Sequence, residues 1–188
     1  IPGSTNIPLT ELFKKENISK IPKEKEIITI CPHGNRAMVA MFALARNNIN
    51  AHVLEGGLAG WSQVLNPIKA ADAPIVYQLE KVGKGCLSYV VVSDGQGIVI
   101  DPLFPPEKYQ ELAQKNEFKI IKVIDTHQHA DHLSSAQELS NLTKSEMYES
   151  KMEVWERTAN LLDDKDEINF GNSTLKVIHT PGHTPGSL

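Results

Sequence analysis

THQHADH, residues 126–132, places His127, His129, Asp131 and His132 directly after the apolar run IIKVID of residues 120–125. A short run enriched in β-branched residues reads as a buried strand. At a strand terminus, side chains two apart project to one side, so His127 and His129 can converge on one ion. Imidazole nitrogen and carboxylate oxygen together suit Zn2+ or non-haem Fe2+ rather than Ca2+ or Mg2+. Asp131 and His132 lie further around the turn, where they can serve a second metal position or act as acid or base. Asp131 also stands where a helix starts, and capping is its structural role. Some fifty positions on, TPGHTPGS (residues 180–187) sets His183 in a proline-stiffened loop suited to holding a ligand in place. Any single histidine here reads as a solvated loop residue; the density of titratable groups is what points to a metal. His179, at the end of the preceding strand, reads as a packing residue.

Working outward, residues 75–82, 87–93 and 97–101 read as strands, the last two joined at Asp94-Gly95, a strong hairpin signal. Residues 105–116 suit a helix with Pro near its first turn, and a second helix follows THQHADH through residue 142. Residues 167–170 and 174–178 form a hairpin turning at Gly171-Asn172. Upstream, NPIKAADAP (residues 66–74) has two prolines and no apolar period, and reads as a linker. The expected division is a domain over 1–66, a linker over 67–74 and a domain over 75–188.

In the first block, EIITI (residues 26–30) is a strand, RAMVAMFALAR (36–46) a helix apolar on most faces, and residues 51–54 a second strand. Strand, loop, helix, strand is the βαβ unit of a parallel sheet. Between the first strand and the helix lies CPHGNR, residues 31–36. Backbone N–H groups of such a loop and the helix N-terminus cradle an anion, which lowers the thiol pKa of Cys31. Gly34 lets the backbone curl and Arg36 adds positive charge. Cys86 opens a strand and reads as a packing residue.

The 188 residues are 40% hydrophobic and 22% charged, values of a soluble globular protein. A net charge of −4 gives no electrostatic reason to expect nucleic acid or an anionic membrane surface. No apolar run approaches the roughly 20 residues that span a bilayer. Two cysteines are too few for a disulfide framework, so the cytoplasm is the expected compartment.

With these motifs in place, residues 75–188 resemble the metallo-β-lactamase superfamily. THQHADH is similar to its H-x-H-x-D-H signature, TPGHTPGS to its later histidine loop, and IVIDP (residues 98–102) to its early strand-and-Asp element. The phrasing is closest to the persulfide dioxygenase and glyoxalase II branches. The resemblance implies a four-layer αβ/βα sandwich with the metal at one edge. In the dioxygenase branch two histidines and an aspartate hold a single iron; here these are His127, His183 and an Asp beyond Leu188. In the hydrolase branch His129, Asp131 and His132 also bind metal.

Residues 1–66 resemble the last two-thirds of a rhodanese domain, through IPGSTNIPL (1–9), CPHGNR and LEGGLAGW (54–61) in family order. Cys31 matches the persulfide-carrying cysteine and Arg36 the arginine closing its loop. Four residues separate them, where related phosphatases have five; the smaller ring fits a sulfur cargo. The expected fold is thus an α/β rhodanese-like parallel sheet segment followed by an incomplete metallo-β-lactamase αβ/βα sandwich. The natural protein is expected to extend past both ends.

The implied function is oxidation of a low-molecular-weight persulfide to sulfite, coupled to rhodanese sulfur transfer, with one Fe2+ as cofactor and Cys31, Arg36 and Asp131 as catalytic residues. Small-molecule persulfide, O2 and sulfite are the expected partners, with no nucleic acid or membrane and with room for a homo-oligomer. One alternative is a dinuclear Zn2+ thioester hydrolase of glyoxalase II type. Another is a non-catalytic sulfur carrier or scaffold.

Overall fold

A computed structural model describes residues 3–81, 85–129, 133–154 and 158–188 of the chain. It divides into two units, Ile1–Val64 and Leu65–Leu188. No helix among the described residues is long and apolar enough to cross a membrane.

In the first unit two single-turn helices, α1 (Leu9–Leu12) and α2 (Lys15–Ile18), precede β1 (Ile27–Thr29), α3 (Asn35–Ala45), β2 (Ala51–Val53) and α4 (Gly57–Trp61). Free of Gly and Pro and rich in Ala, Met and Leu, α3 has the composition of a strong helix former. It makes the crossover that the parallel pairing of β1 with β2 requires, with Ile28 opposite His52. Leu12, Leu44 and Ile49 form the buried centre, with Leu9, Ile18 and Ile27 packed around them. Only one face of α3 is covered: Ala37 and Leu44 are buried, whereas Met38, Val39 and Phe42 are about half exposed.

The second unit holds β3 (Pro67–Asp72), β4 (Ile75–Glu80), β5 (Leu87–Ser93), β6 (Gln96–Ile100), α5 (Pro106–Lys115), β7 (Lys119–Asp125), α6 (Ala136–Thr143), β8 (Glu146–Ser150), β9 (Asn160–Leu162), β10 (Glu167–Phe170) and β11 (Ser173–Lys176). Strands β3 to β9 form one sheet in chain order, while β10 and β11 pair as a separate hairpin. Pairing is antiparallel from β3 to β6 and parallel from β6 to β9. The β5–β6 turn has two residues, Asp94 and Gly95, both at positive φ, as the twist of a tight hairpin requires.

The stretch expected as a linker is therefore corrected: Pro67–Asp72 is the edge strand β3, paired with β4. Its side chains are exposed except at Pro67, so it shows no apolar alternation, and Pro is tolerated at the first position of an edge strand. Residues 146–150 and 160–162, not anticipated as strands, complete the other edge.

Two apolar layers cover the two faces of this mixed sheet. Val90, Val99 and Val123 pack with Tyr109 and Leu112 of α5 and Leu139 of α6. On the opposite face Ile98 and Ile124 pack with Ile168 and Phe170 of the hairpin. In β7 the alternation is reset by a bulge: Gly97 faces Ile120 but Ile98 faces Lys122, leaving Ile121 as the extra residue. Ile120 and Val123 consequently share one layer, and Ile121 and Ile124 the other.

The Tyr109 hydroxyl accepts from the Leu103 N–H at 3.0 Å and donates to Ser88 Oγ at 2.9 Å. A buried hydroxyl left unpaired costs about 1–3 kcal/mol, so this chain of bonds pins the segment that leaves β6. Because β6, β7 and β8 are parallel, their C-terminal ends open on one edge, where open α/β sheets collect their ligands.

Candidate metal centre and thiol loop

In the first unit, Cys31 Sγ accepts from the Gly34 N–H at 3.1 Å and from the Ala37 N–H at 3.4 Å. Gly34 stands at φ 90°, a conformation that only glycine adopts readily. Desolvation works against the thiolate, but the main-chain N–H groups of Ala37, His33, Gly34 and Arg36 outweigh it and hold the thiol below its ordinary value. Arg36 thus contributes its main-chain N–H, while the residue itself is exposed. The start of α4 fixes the loop from the other side, Leu58 N–H donating to the Cys31 carbonyl at 3.0 Å and Ala59 N–H to that of Pro32 at 3.0 Å. A Cβ on Gly57 would lie 2.1 Å from the Cys31 carbonyl oxygen, so this glycine at the start of α4 is a packing requirement of the thiol loop. Cys86 is half-buried against the core of the second unit, and no disulfide joins the two cysteines.

In the second unit, the rings of His127 and His129 lie 4.2 Å apart and those of His127 and His183 4.9 Å apart, each pair edge to face. Donor atoms of Asp101, His127 and His129 all fall within 4.8 Å of one another. Asp101 follows β6 at φ 50°. Its carboxylate accepts from the Thr126 N–H and the Thr126 hydroxyl, both at 2.7 Å, and meets His129 Nε2 at 3.2 Å. Thr126 Oγ1 lies 2.9 Å from His127 Nδ1. Asp101 is therefore the hub that orients both rings, directly at His129 and through Thr126 at His127, a role that the sequence reading of IVIDP did not assign.

Burial first, and then the charge of neighbouring His129, holds His127 below the usual histidine value, so it stands ready as a neutral imidazole. Burial also opposes charge on His129, but Asp101 and then Asp125 outweigh it and push its pKa up to about 9. Asp125 Oδ1 is 3.7 Å from His129 Nε2, outside hydrogen-bond range, and acts through its charge. Asp125 Oδ2 is buried with no hydrogen-bond partner among the described residues. Two carboxylates that favour a proton on His129, beside an unsatisfied buried oxygen, show a demand for positive charge that fits a divalent cation.

His183 is carried by the loop after β11, and His179 braces that loop without joining the ring cluster. The His179 N–H donates to Asp164 Oδ1 at 3.0 Å, and His179 Nε2 lies 2.9 Å from the Pro185 carbonyl. Expected as a packing residue, it is instead a tie between loop residues. Asp131 and His132 lie outside the described residues. Glu153, which no motif signalled, accepts from the Gln128 N–H at 2.6 Å and from the Gly186 N–H at 2.7 Å. Desolvation raises its pKa, but the Thr184 hydroxyl and these amides outweigh it and keep the carboxyl below the ordinary glutamate range.

The family profile of the metallo-beta-lactamase superfamily matches residues 82–188, and that of the rhodanese-like domain matches residues 1–64. An uncharacterized protein of Aquifex aeolicus is 29% identical over 134 residues, 60% of this chain and 63% of that protein. A cytoplasmic hydroxyacylglutathione hydrolase of Arabidopsis thaliana is 30% identical over 105 residues, 54% of this chain and 40% of that protein. The crystal structure of ETHE1 from Myxococcus xanthus is 28% identical with a TM-score of 0.54, covering 60% of this chain and 51% of that one. The chain thus spans between two fifths and just under two thirds of the length of these relatives. By the extent of its match, it belongs to the metallo-β-lactamase superfamily, with a rhodanese-like domain preceding that fold.

Proposed function

We propose that this chain forms part of an enzyme that oxidises a low-molecular-weight persulfide and carries sulfur on Cys31. The overall change consumes one persulfide, one O2 and one water and yields one thiol and one sulfite, the outer sulfur losing the electrons that O2 gains. The observation that carries the reading is the coexistence, on one chain, of the imidazole and carboxylate cluster with a thiol cradled by main-chain N–H groups.

His127 and His183 would hold a single Fe2+ together with a carboxylate. Bound there, the ion would give persulfide and O2 a common site and activate the oxygen. Asp101 and Thr126 fix the orientation of the His127 ring beforehand, so less ordering is left for binding. At the other site, Cys31 Sγ attacks the outer sulfur of a donor; the donor S–S bond breaks and its remainder leaves as an anion. Sulfite then attacks the outer sulfur of the Cys31 persulfide, releasing thiosulfate and restoring the thiolate that the N–H groups stabilise. Arg36 closes this loop, and Asp131 is the acid or base at the metal site.

The kinship with a hydroxyacylglutathione hydrolase supports a second reading, thioester hydrolysis at two Zn2+ ions, in which His129, Asp131 and His132 join the ligand set. Full-length protein purified without oxygen separates the two. About one Fe2+ per chain, with O2 uptake on adding a small persulfide, supports the first. Two zinc ions per chain, with thioester cleavage and no O2 uptake, replaces it with the second.

A further inference from the structure

The two histidine loops come from separate pieces of the fold. His127 and His129 follow β7 of the large sheet, whereas His183 follows β11 of the small hairpin. The 4.9 Å separation of the His127 and His183 rings crosses this join and must be set by something other than either loop alone. One tie is the Leu188 N–H, which donates to the Thr126 carbonyl at 3.0 Å. Another is a single carboxylate.

We infer that Glu153 is a positioning residue that latches these two loops together and so sets the spacing of the metal ligands. The inference rests on the metal-centre reading of the three histidines, whichever reaction follows. Glu153 Oε2 accepts from the N–H of Gln128, the residue between His127 and His129, and Glu153 Oε1 accepts from the N–H of Gly186 in the His183 loop. The carboxylate itself is aimed by its own main chain, since the Glu153 N–H donates to the Ser150 carbonyl at 3.0 Å, at the end of β8. Hydrogen bonds to an ionised acceptor are roughly twice as strong as neutral ones, and here one acceptor spans both loops. With each oxygen engaged by an amide, Glu153 orients the ligands rather than joining them.

Gly186 shows how closely the latch is fitted. A Cβ there would lie 2.6 Å from Glu153 Cγ, 2.9 Å from Oε1 and 3.0 Å from Cδ. All three nearest atoms belong to the Glu153 side chain, so the lack of a side chain at residue 186 is explained by the carboxylate in front of it. Gln at 153 would turn an amide NH2 toward one of two N–H donors, and Ala would release both.

The test is Zn2+ affinity, read by competition with a coloured chelator in the full-length protein. Glu153→Ala and Glu153→Gln should each weaken binding by about 10- to 100-fold, the usual cost of losing a group that orients metal ligands. The melting temperature of the metal-free protein should stay in place. Gly186→Ala should cost a similar factor alone but add little in the Glu153→Ala background, where the new methyl group has room. Unchanged Zn2+ affinity in Glu153→Ala, strictly additive losses, or a fall in metal-free melting temperature that accounts for the lost binding would each overturn the inference. Amide hydrogen exchange reads the latch without any metal. Slow exchange at Gln128 and Gly186 that becomes fast in Glu153→Ala supports it, and fast exchange in the unmodified protein overturns it. A protein that binds no Zn2+ would sink the metal-centre reading separately, with the exchange data still judging Glu153.

Discussion

The N–H donors that lower the Cys31 pKa come from His33, Gly34, Arg36 and Ala37, all main-chain groups within six positions of the sulfur. The histidine cluster is assembled differently: side chains of Asp101, Thr126 and Glu153, drawn from three separate strand ends, hold the His129 ring, the His127 ring and the main chain of the two histidine loops. A site of the first kind depends on the path of the backbone and tolerates most side-chain changes around it. The second kind depends on particular side chains meeting across the fold, so single replacements reach it from far away in sequence.

The sharpest attack on this contrast is His127→Ala, which should abolish both metal binding and O2 uptake in the full-length protein, measured by elemental analysis and an oxygen electrode. Normal activity in that variant would end the metal-centre reading. Next comes Cys31→Ser, which should eliminate thiosulfate:cyanide sulfurtransferase activity while metal content is unchanged; loss of metal would show the sites are not independent. Asp101→Asn should weaken Zn2+ binding by about 10- to 100-fold, because the hub that orients Thr126 and His129 loses its charge; an unaltered affinity breaks the side-chain half of the comparison. The smallest effect concerns acidity. Since the cradle favours the thiolate, alkylation of Cys31 should stay fast to lower pH than for an ordinary cysteine, near 8.5. The midpoint should remain in place in Arg36→Ala, which keeps the main-chain N–H. A midpoint at or above the ordinary value removes the cradle argument, and a large shift in Arg36→Ala transfers the effect to the guanidinium.

The same contrast explains what could be read from sequence. The thiol loop was legible because strand, CPHGNR and helix are contiguous and the donors are the loop itself; the roof at Gly57 is visible as a motif but not as a contact. In the second unit, His127, His129 and His183 stood out by residue type and density, and the fold brings their rings together. Glu153 gave no signal, because a glutamate outside any motif shows its role only when two distant amides arrive beside it. The edge strand β3 was missed for a related reason: with nearly every side chain exposed, it carries no period to detect.

The bulge in β7 sets more than a local kink. A pleated strand keeps a two-beat count, and the extra residue at Ile121 inserts a missed beat between the β6 pairing and the exit toward His127. Asp125 leaves the strand on the same beat as Val123, where Ser134 Oγ donates to its Oδ1 at 2.8 Å beside the start of α6. Deleting Ile121 alone would remove the bulge and leave Lys122 opposite Ile98, so Asp125 and Ile124 would keep their faces. Deleting Lys122 as well would swap the beats, turning the Asp125 carboxylate toward the apolar hairpin layer, and would draw the histidines back along the strand by about 3.3 Å. The timing of the metal loop is thus written four residues before the last residue of the strand, and a change of chain length there is heard at the histidines without any of them being altered.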